Sequence, residues 1–351
     1  MPMIHVGILG ATGYAGLELT RILLQHPRVD RLGASSVTFE GKSLEDVYPS
    51  MVNVVDGSAL PPLEKAEDVM ARADIVFSCL PHGHAETAGW QCVEAGKPFI
   101  DISADFRFGT HEELFKKWYG AGYEYPELHA QAVYGLPELH RTAIKGARLI
   151  ANPGCYPTAA ELGLIPALQE GIADLSSIVI TSMSGVTGAG REPSQMTHYP
   201  EAADAASPYK VGSHRHQPEI DLLLSEMAGA EVHSVFTPIL APMNRGILST
   251  ICFGLVRTIS AADLHALYAD RYAREPFVRV LPLGSTASNR FVKYSNYCDI
   301  SVHLSADGSK AVIISTIDNM VKGAAGQAVQ NMNILLSFDE TEGLRFIPPA
   351  F

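Results

Sequence analysis

The chain has 351 residues, 26 Lys plus Arg against 38 Asp plus Glu, and a formal net charge of −12. That length accommodates two domains with well-buried cores, and 47% hydrophobic with 18% charged residues is a globular rather than a disordered balance. The acidic excess excludes a dedicated nucleic-acid binder and opposes docking on an anionic membrane surface.

The opening MPMIHVGILG lacks the basic start and long apolar core of a signal peptide. Residues 175–190, the longest uncharged stretch, are rich in Ser, Thr and Gly and too short to span a bilayer. Five scattered cysteines (Cys79, Cys92, Cys155, Cys252 and Cys298) form no CxxC pair, so neither a disulfide framework nor a zinc cluster is expected, and the compartment reads as cytoplasmic.

Along residues 1–150, strand-like and helix-like runs alternate. Residues 4–9 read as a strand, 14–26 as a helix stopped by Pro27, and 29–34 as a second strand. Residues 75–80 read as a buried strand, 86–95 as a helix ending at Gly96, and 99–102 as another strand. This alternation predicts an α/β fold with a Rossmann-like, doubly wound parallel sheet. Beyond residue 150 the texture changes. Longer strands are expected at 177–183, 232–240, 248–256, 300–304 and 312–316, with helices at 260–274 and 321–336. A second α+β domain on a mixed sheet fits them.

Gly10-Ala-Thr12-Gly13-Tyr14-Ala15-Gly16 lies between the first strand and the first helix. In that context Gly10 permits a tight turn, Gly13 lets the backbone approach a pyrophosphate, and Gly16 lets helix and strand pack closely. The helix start offers N–H groups to phosphates. After the second strand the chain reads Ser35-Ser36-Val37-Thr38, with no acid before Glu40. An NAD site usually carries an acid there. Ser35, Ser36 and Lys42 suit a 2′-phosphate instead, so NADP(H) is the expected cofactor. Leu80 and Pro81, at a strand end before His82 and His84, are expected to line the cofactor cleft.

Asn152-Pro-Gly-Cys155-Tyr-Pro-Thr158 precedes an amphipathic run, residues 159–168. Pro157 fits the first turn of that helix and places Cys155 at its N-terminus. Lowering a thiol pKa from ~8.5 to ~7 takes about 2 kcal/mol. An exposed helix end supplies only about 0.3–1 kcal/mol. A nucleophilic Cys155 therefore requires a cationic partner. His214 and His216 are candidates, sharing a face if their segment is extended. A metal would need a third ligand that the spacing does not provide, and none is assigned.

Together these motifs resemble the N-acetyl-gamma-glutamyl-phosphate reductases, the arginine-biosynthesis members of the semialdehyde dehydrogenase group. The resemblance covers GATGYAG at 10–16, CLPHGHA at 79–85, DISADFR at 101–107, YGLPEL at 134–139 and ANPGCYPTA at 151–159. It continues through SGVTGAGR at 184–191, HRHQPEI at 214–220, FTPILAPMNRGI at 236–247 and DNMVKGAAGQAVQNMN at 318–333. It implies an NADP-binding domain of residues 1–150 and 320–351 and a catalytic and oligomerisation domain of 151–319. It further implies Cys155 as nucleophile, His216 as acid/base with His214 close behind, and Ser184, Gly185 and Asn319 against the nicotinamide. Arg107, Arg191 and Arg245, with Asn152 and Glu219, are then the expected contacts to substrate and phosphate. One departure matters: where many members have Ser-Arg after the second strand, this chain has Ser36-Val37.

The implied activity is NADPH-dependent reduction of an acyl phosphate through a Cys155 thioester, by a homo-oligomer (dimer or tetramer). The same chemistry on an aspartyl phosphate or a carrier-bound aminoadipyl group is the nearest rival. A non-catalytic NADP sensor would have no use for Cys155, and a Cys–His hydrolase would leave the glycine loop unexplained.

Overall fold

The structure is a computed structural model and describes residues 3–54 and 61–350. Residues 1, 2, 55–60 and 351, which the expected domain ranges include, lie outside the described residues. The chain divides into two compact units, residues 1–154 with 324–345 and residues 155–323 with 346–351. The expected boundaries were 150 and 320, with the whole C-terminus in the cofactor domain. Residues 346–351 instead group with the second unit, where Arg290 Nε donates to the Ala350 carbonyl at 3.1 Å.

The first unit carries strands β1 (Ile4–Leu9), β2 (Val29–Ala34), β3 (Ile75–Ser78), β4 (Phe99–Asp101), β5 (Val133–Tyr134) and β6 (Leu149–Ala151). They form one parallel sheet in the order β2-β1-β3-β4-β6-β5. β3, β4 and β6 are buried throughout, as expected for strands covered on both faces. The helix Tyr14–Leu23 buries Leu19, Ile22 and Leu23. It stops short of the expected His26 because the Gln25 and His26 N–H groups turn back to the Ile22 and Leu23 carbonyls in tighter loops.

The helix Gly326–Leu335 belongs to this unit and is buried on every side despite its amides. Gln327 Nε2 and Asn331 Nδ2 both donate to the Gly135 carbonyl (3.0 and 2.9 Å), and Asn333 Nδ2 donates to the carbonyls of Glu340 and Glu342. Each amide exchanges water for a fixed acceptor, which offsets its burial. The expected helix 321–336 begins at residue 321 but as a π-helix, Val321–Ala325, before the α-helix proper, a geometry often found at functional sites.

The second unit holds β7 (Val179–Ser184), β8 (Ser207–Pro208), β9 (Val235–Leu240), β10 (Ile247–Gly254), β11 (Val278–Val280), β12 (Cys298–Leu304) and β13 (Lys310–Ile317). Their order is β11-β12-β13-β10-β7-β9-β8, with β7–β9 and β11–β12 parallel and the other pairs antiparallel. β7, β9 and β10 alternate buried with less buried residues, so this sheet has one covered and one open face. The helix Ala261–Tyr272 starts after Ser260, whose hydroxyl accepts the Asp263 N–H.

The helix Cys155–Gln169 corrects an expectation. It is not amphipathic: Tyr156 to Leu168 are buried on every face, as small and apolar residues all around dictate. Pro166 cannot donate to the Leu162 carbonyl. That carbonyl instead accepts from Tyr272 Oη at 2.5 Å, and the neighbouring Gly163 carbonyl from Tyr268 Oη at 2.8 Å.

Candidate active site

In the first unit, Gly10 has φ +78, and a Cβ there would stand 2.8 Å from the Cys79 carbonyl oxygen. A Cβ on Gly16 would strike the Ala11 backbone, 2.8 Å from its Cα. Packing therefore demands both glycines. Gly13 differs, since a Cβ on it would meet nothing nearer than the Gly10 oxygen at 3.6 Å. It is also the N-cap of the helix Tyr14–Leu23, with no side-chain cap and no acid in the first turn. A glycine that packing does not require, at an uncapped helix start, fits a dinucleotide pyrophosphate.

Thr12 Oγ1 lies 2.9 Å from Ser36 Oγ, so the loop and the end of β2 share one hydroxyl pair. Tyr48 Oη steadies this corner through the Thr12 carbonyl at 2.8 Å. Ser35 and Ser36 are buried, Val37 is almost fully exposed, and Lys42 is exposed with Nζ 5.6 Å from the Phe39 ring centroid. Past β3, His82 Nδ1 accepts the Ala104 N–H, and the Asp105 carboxylate accepts those of Gly83 and Ala85. The loop after Leu80 and Pro81 is thereby fixed by DISADFR. Within that motif Asp101 is wholly buried, and burial, then the nearby Asp105 charge, pushes its pKa up to about 7.

Two residues expected to contact substrate are hydrogen-bonded within this unit. Arg107 donates from Nε to the Asn152 carbonyl and from Nη2 to the Ile102 carbonyl, both at 2.8 Å. Asn152 is fully buried; its Nδ2 donates to the Ala324 carbonyl, and its Oδ1 accepts from Asn331 Nδ2. Both side chains brace the strand β6 terminus.

In the second unit, Cys155 is the first residue of its helix and partly exposed. The segment 214–216 is not extended. His216 opens the helix His216–Ala228, and its backbone N–H donates to His214 Nδ1 at 3.1 Å. The two rings meet edge-on, 4.9 Å apart, and both meet the Tyr156 ring edge-on, at 5.5 Å for His214 and 5.9 Å for His216. Tyr156, the residue after Cys155, thus brings both histidines to the start of the cysteine helix. Gln217 pins the histidine turn to β9: its Nε2 donates to the Ser234 carbonyl and its Oε1 accepts the Phe236 N–H.

His214 is enclosed by Tyr156, Tyr209 and Phe236. Burial, reinforced by Lys210 and Arg215, brings its pKa down to about 4. It is neutral near pH 7 and would not supply the cation that a nucleophilic Cys155 requires. Glu219 is buried in the first turn of the same helix.

Asn319 Oδ1 accepts the Gly246 N–H at 2.7 Å, and its Nδ2 donates to Thr187 Oγ1 at 2.9 Å. A Cβ on Gly185 would lie 2.6 Å from the Arg245 nitrogen, so packing already accounts for that glycine. Arg245 stands 3.6 Å from the buried Asp318 carboxylate and over the Tyr294 ring, while Arg191 is exposed. The sequence reading missed Tyr156 as a hub, Tyr209, and Gly323, which packs on Cys155. Tyr156 was visible inside the cysteine motif; Tyr209 stood in no motif. Among the described residues no cluster of three His, Cys, Asp or Glu side chains is arranged to hold a metal ion, and no helix is long and apolar enough to cross a membrane.

Two family models match, "Semialdehyde dehydrogenase, NAD binding domain" over residues 5–147 and "Semialdehyde dehydrogenase, dimerisation domain" over residues 155–319. Aspartate semialdehyde dehydrogenase II from Vibrio cholerae shares the fold, with TM-score 0.72 at 18% identity over 95% of this chain and 99% of that one. The enzyme from Candida albicans, solved with NADP, gives TM-score 0.69 at 16% identity over 95% and 98%. The fold and the matched models are those of a semialdehyde dehydrogenase.

Sequence similarity narrows this. The N-acetyl-gamma-glutamyl-phosphate reductase of Clostridium beijerinckii is 49% identical over 99% of this chain and 100% of its own length, and that of Brachyspira hyodysenteriae is 47% identical over 99% and 100%. The chain belongs to the N-acetyl-gamma-glutamyl-phosphate reductase family.

Proposed function

We propose that the chain reduces N-acetyl-L-glutamyl 5-phosphate to N-acetyl-L-glutamate 5-semialdehyde and phosphate, with NADPH, as a step of arginine biosynthesis. The observation that carries this reading is Cys155 at a helix N-terminus with His216 set beside the adjoining Tyr156 ring. His216 takes the Cys155 proton, and the imidazolium with the helix dipole stabilises the thiolate. The sulfur attacks the acyl carbon and phosphate leaves, which gives a Cys155 thioester. Bound NADPH supplies the hydride that reduces this ester. His216 donates its proton to the oxygen that gains charge, then takes it back as the carbon–sulfur bond breaks and the aldehyde departs. A thiolate serves as both nucleophile and leaving group.

Gly10, Gly13 and the helix start at Tyr14, Ala15 and Gly16 would hold the pyrophosphate. Thr12, Ser36 and Lys42 would receive the 2′-phosphate, since no acid closes β2. Ser184, Gly185 and Asn319 stay assigned to the nicotinamide side, and Arg191, Arg245 and Glu219 to the substrate.

The open face of the second sheet supports a homodimer. Val179, Met183 and Val235 are exposed there, beside the half-buried Ile239, Leu248 and Ile314. An apolar sheet face of this kind calls for a partner, and a second copy of the chain fits the dimerisation model that matches this unit. A cytoplasmic location accords with this biosynthetic role.

The direct test follows nicotinamide reduction in the reverse direction with N-acetylglutamate semialdehyde, phosphate and NADP, omitting each in turn. A signal that needs all three is expected. A signal only with aspartate semialdehyde would replace the substrate, and none with either would remove the reductase reading.

A further inference from the structure

Tyr209 and Tyr156 form a hydroxyl link beside the histidine pair. Tyr209 Oη donates to Tyr156 Oη at 3.2 Å. This bond ties the segment that bears Tyr209 to the second residue of the cysteine helix.

Neither phenol is ionised near neutral pH. Burial pushes the Tyr209 pKa up to about 12 and raises that of Tyr156 further. The link is thus a neutral hydrogen bond in a largely enclosed setting, where a lost partner is costly. The rings complete the device. Tyr209 meets His214 edge-on at 5.4 Å, and Tyr156 meets both histidines.

The segment bearing Tyr209 is itself restrained. β8 pairs with β9, and the Tyr209 N–H donates to the Pro238 carbonyl at 3.2 Å. Lys210 takes a left-handed φ of +45, unusual for a residue with a side chain. Its carbonyl accepts the Ser213 N–H, which closes the turn leading to His214. Such strain persists where the surroundings over-determine it. The link spans 53 residues in sequence between its two tyrosines and joins the cysteine helix to the segment that leads into the histidine turn within one unit.

We propose that Tyr209 is a positioning residue: through the Tyr156 hydroxyl and the His214 ring it holds His216 in the orientation from which it exchanges a proton with Cys155. This deepens the proposed reaction and rests on its assignment of Cys155 and His216. Tyr209 acts through Tyr156 and His214, so its loss should affect turnover rather than substrate binding.

The experiment compares wild type with Tyr209→Phe, which keeps the ring and removes the hydroxyl. kcat for acyl-phosphate reduction and KM are measured, with the rate of iodoacetamide alkylation at neutral pH after subtracting the Cys155→Ser background. The expected result is a kcat about tenfold lower with KM changed less than about twofold. Alkylation should slow by a similar factor, because the thiolate loses its oriented base. kcat and alkylation both unchanged would overturn the proposal. So would a large KM rise with alkylation intact, which would make Tyr209 a substrate contact. Should Tyr209→Phe fail to fold, Tyr156→Phe cuts the same link at its other end, and the same pair of outcomes decides. If the wild-type protein reduces no acyl phosphate, the proposed reaction fails, while the alkylation comparison still tests the link.

Discussion

Gly323 lies directly against Cys155: a Cβ built on the glycine would stand 2.8 Å from the Cys155 Cβ and 3.2 Å from its Cα. The π-turn that carries Gly323 therefore forms a wall behind Cys155. A methyl group at this point has to displace the cysteine, because the nearest atoms are backbone and Cβ rather than a flexible tip. Gly323→Ala should lower kcat by about tenfold or more through displacement of the sulfur. It should also cost about 1–3 kcal/mol of stability from overpacking. Cofactor affinity, measured by fluorescence of bound NADPH, should stay near wild type. Unchanged kcat would show that the wall yields.

Cys155→Ser should abolish turnover while leaving NADPH binding intact, since the serine hydroxyl at this site is neither ionised nor a good leaving group. His216→Asn should lower kcat by about two orders of magnitude or more, the usual scale for a lost acid/base. His214→Asn should be milder, because a histidine kept neutral by burial acts through position. Steady-state kinetics of the three variants orders them, and a more severe loss in His214→Asn would reverse the assignment.

His214 also sets a pH dependence of stability. Its pKa in the folded protein is about 4, lowered from 6.5 first by burial. Above pH 6.5 the imidazole is neutral folded or unfolded and contributes no slope. As pH falls from 6.5 toward 4 the unfolded chain binds a proton that the folded protein refuses, so stability is lost across that window. The full effect is on the order of 3 kcal/mol. In thermal unfolding across this range, His214→Asn should lose less melting temperature than wild type. Parallel curves would refute the burial argument.

Much of the architecture was legible because local pattern and tertiary role agree. β1 and β2 kept their expected bounds, and the loop at 10–16 took the strand–turn–helix context that gives its glycines meaning. Cys155 fell at a helix start because Pro157 favours the first turn. What spacing left out has another cause. Arg107 and Asn152 also bond to backbone and amide groups remote in sequence, which no motif announces. The buried amides of Gln327, Asn331 and Asn333 depend on acceptors that no periodicity reveals. His214 and His216 share a face through a turn and a helix start, not through strand alternation. Local spacing identified the residues; long-range partners decided their roles.

The hydroxyl pair of Thr12 and Ser36 makes cofactor choice testable. Ser36→Asp places a carboxylate where a 2′-phosphate is proposed to lie and offers an acceptor for ribose hydroxyls. Charge repulsion should raise KM for NADPH by about tenfold or more, and NADH should become the better substrate by kcat/KM. An unchanged NADPH KM would move the 2′-phosphate away from Ser36.

The open face of the second sheet gives the last prediction. Met183 on β7 pairs with Ile239 on β9 and Leu248 on β10, and cross-strand partners project from the same side of a sheet. Val179 and Val235 lie opposite one another further along that face. Met183 is 40% and Val235 58% exposed, so these side chains stay open to solvent in the single chain. Their opposite-facing neighbours Ile180, Phe236 and Ile251 are buried in the unit's own core, so a polar change on the open face should spare the fold. In a dimer packed through this face, Met183→Asp buries an unpaired carboxylate in each subunit, a cost of several kcal/mol. Light scattering should therefore show the wild-type chain as a dimer and Met183→Asp as a monomer at micromolar concentration, with its secondary structure retained. A variant that remains dimeric would place the interface on another surface.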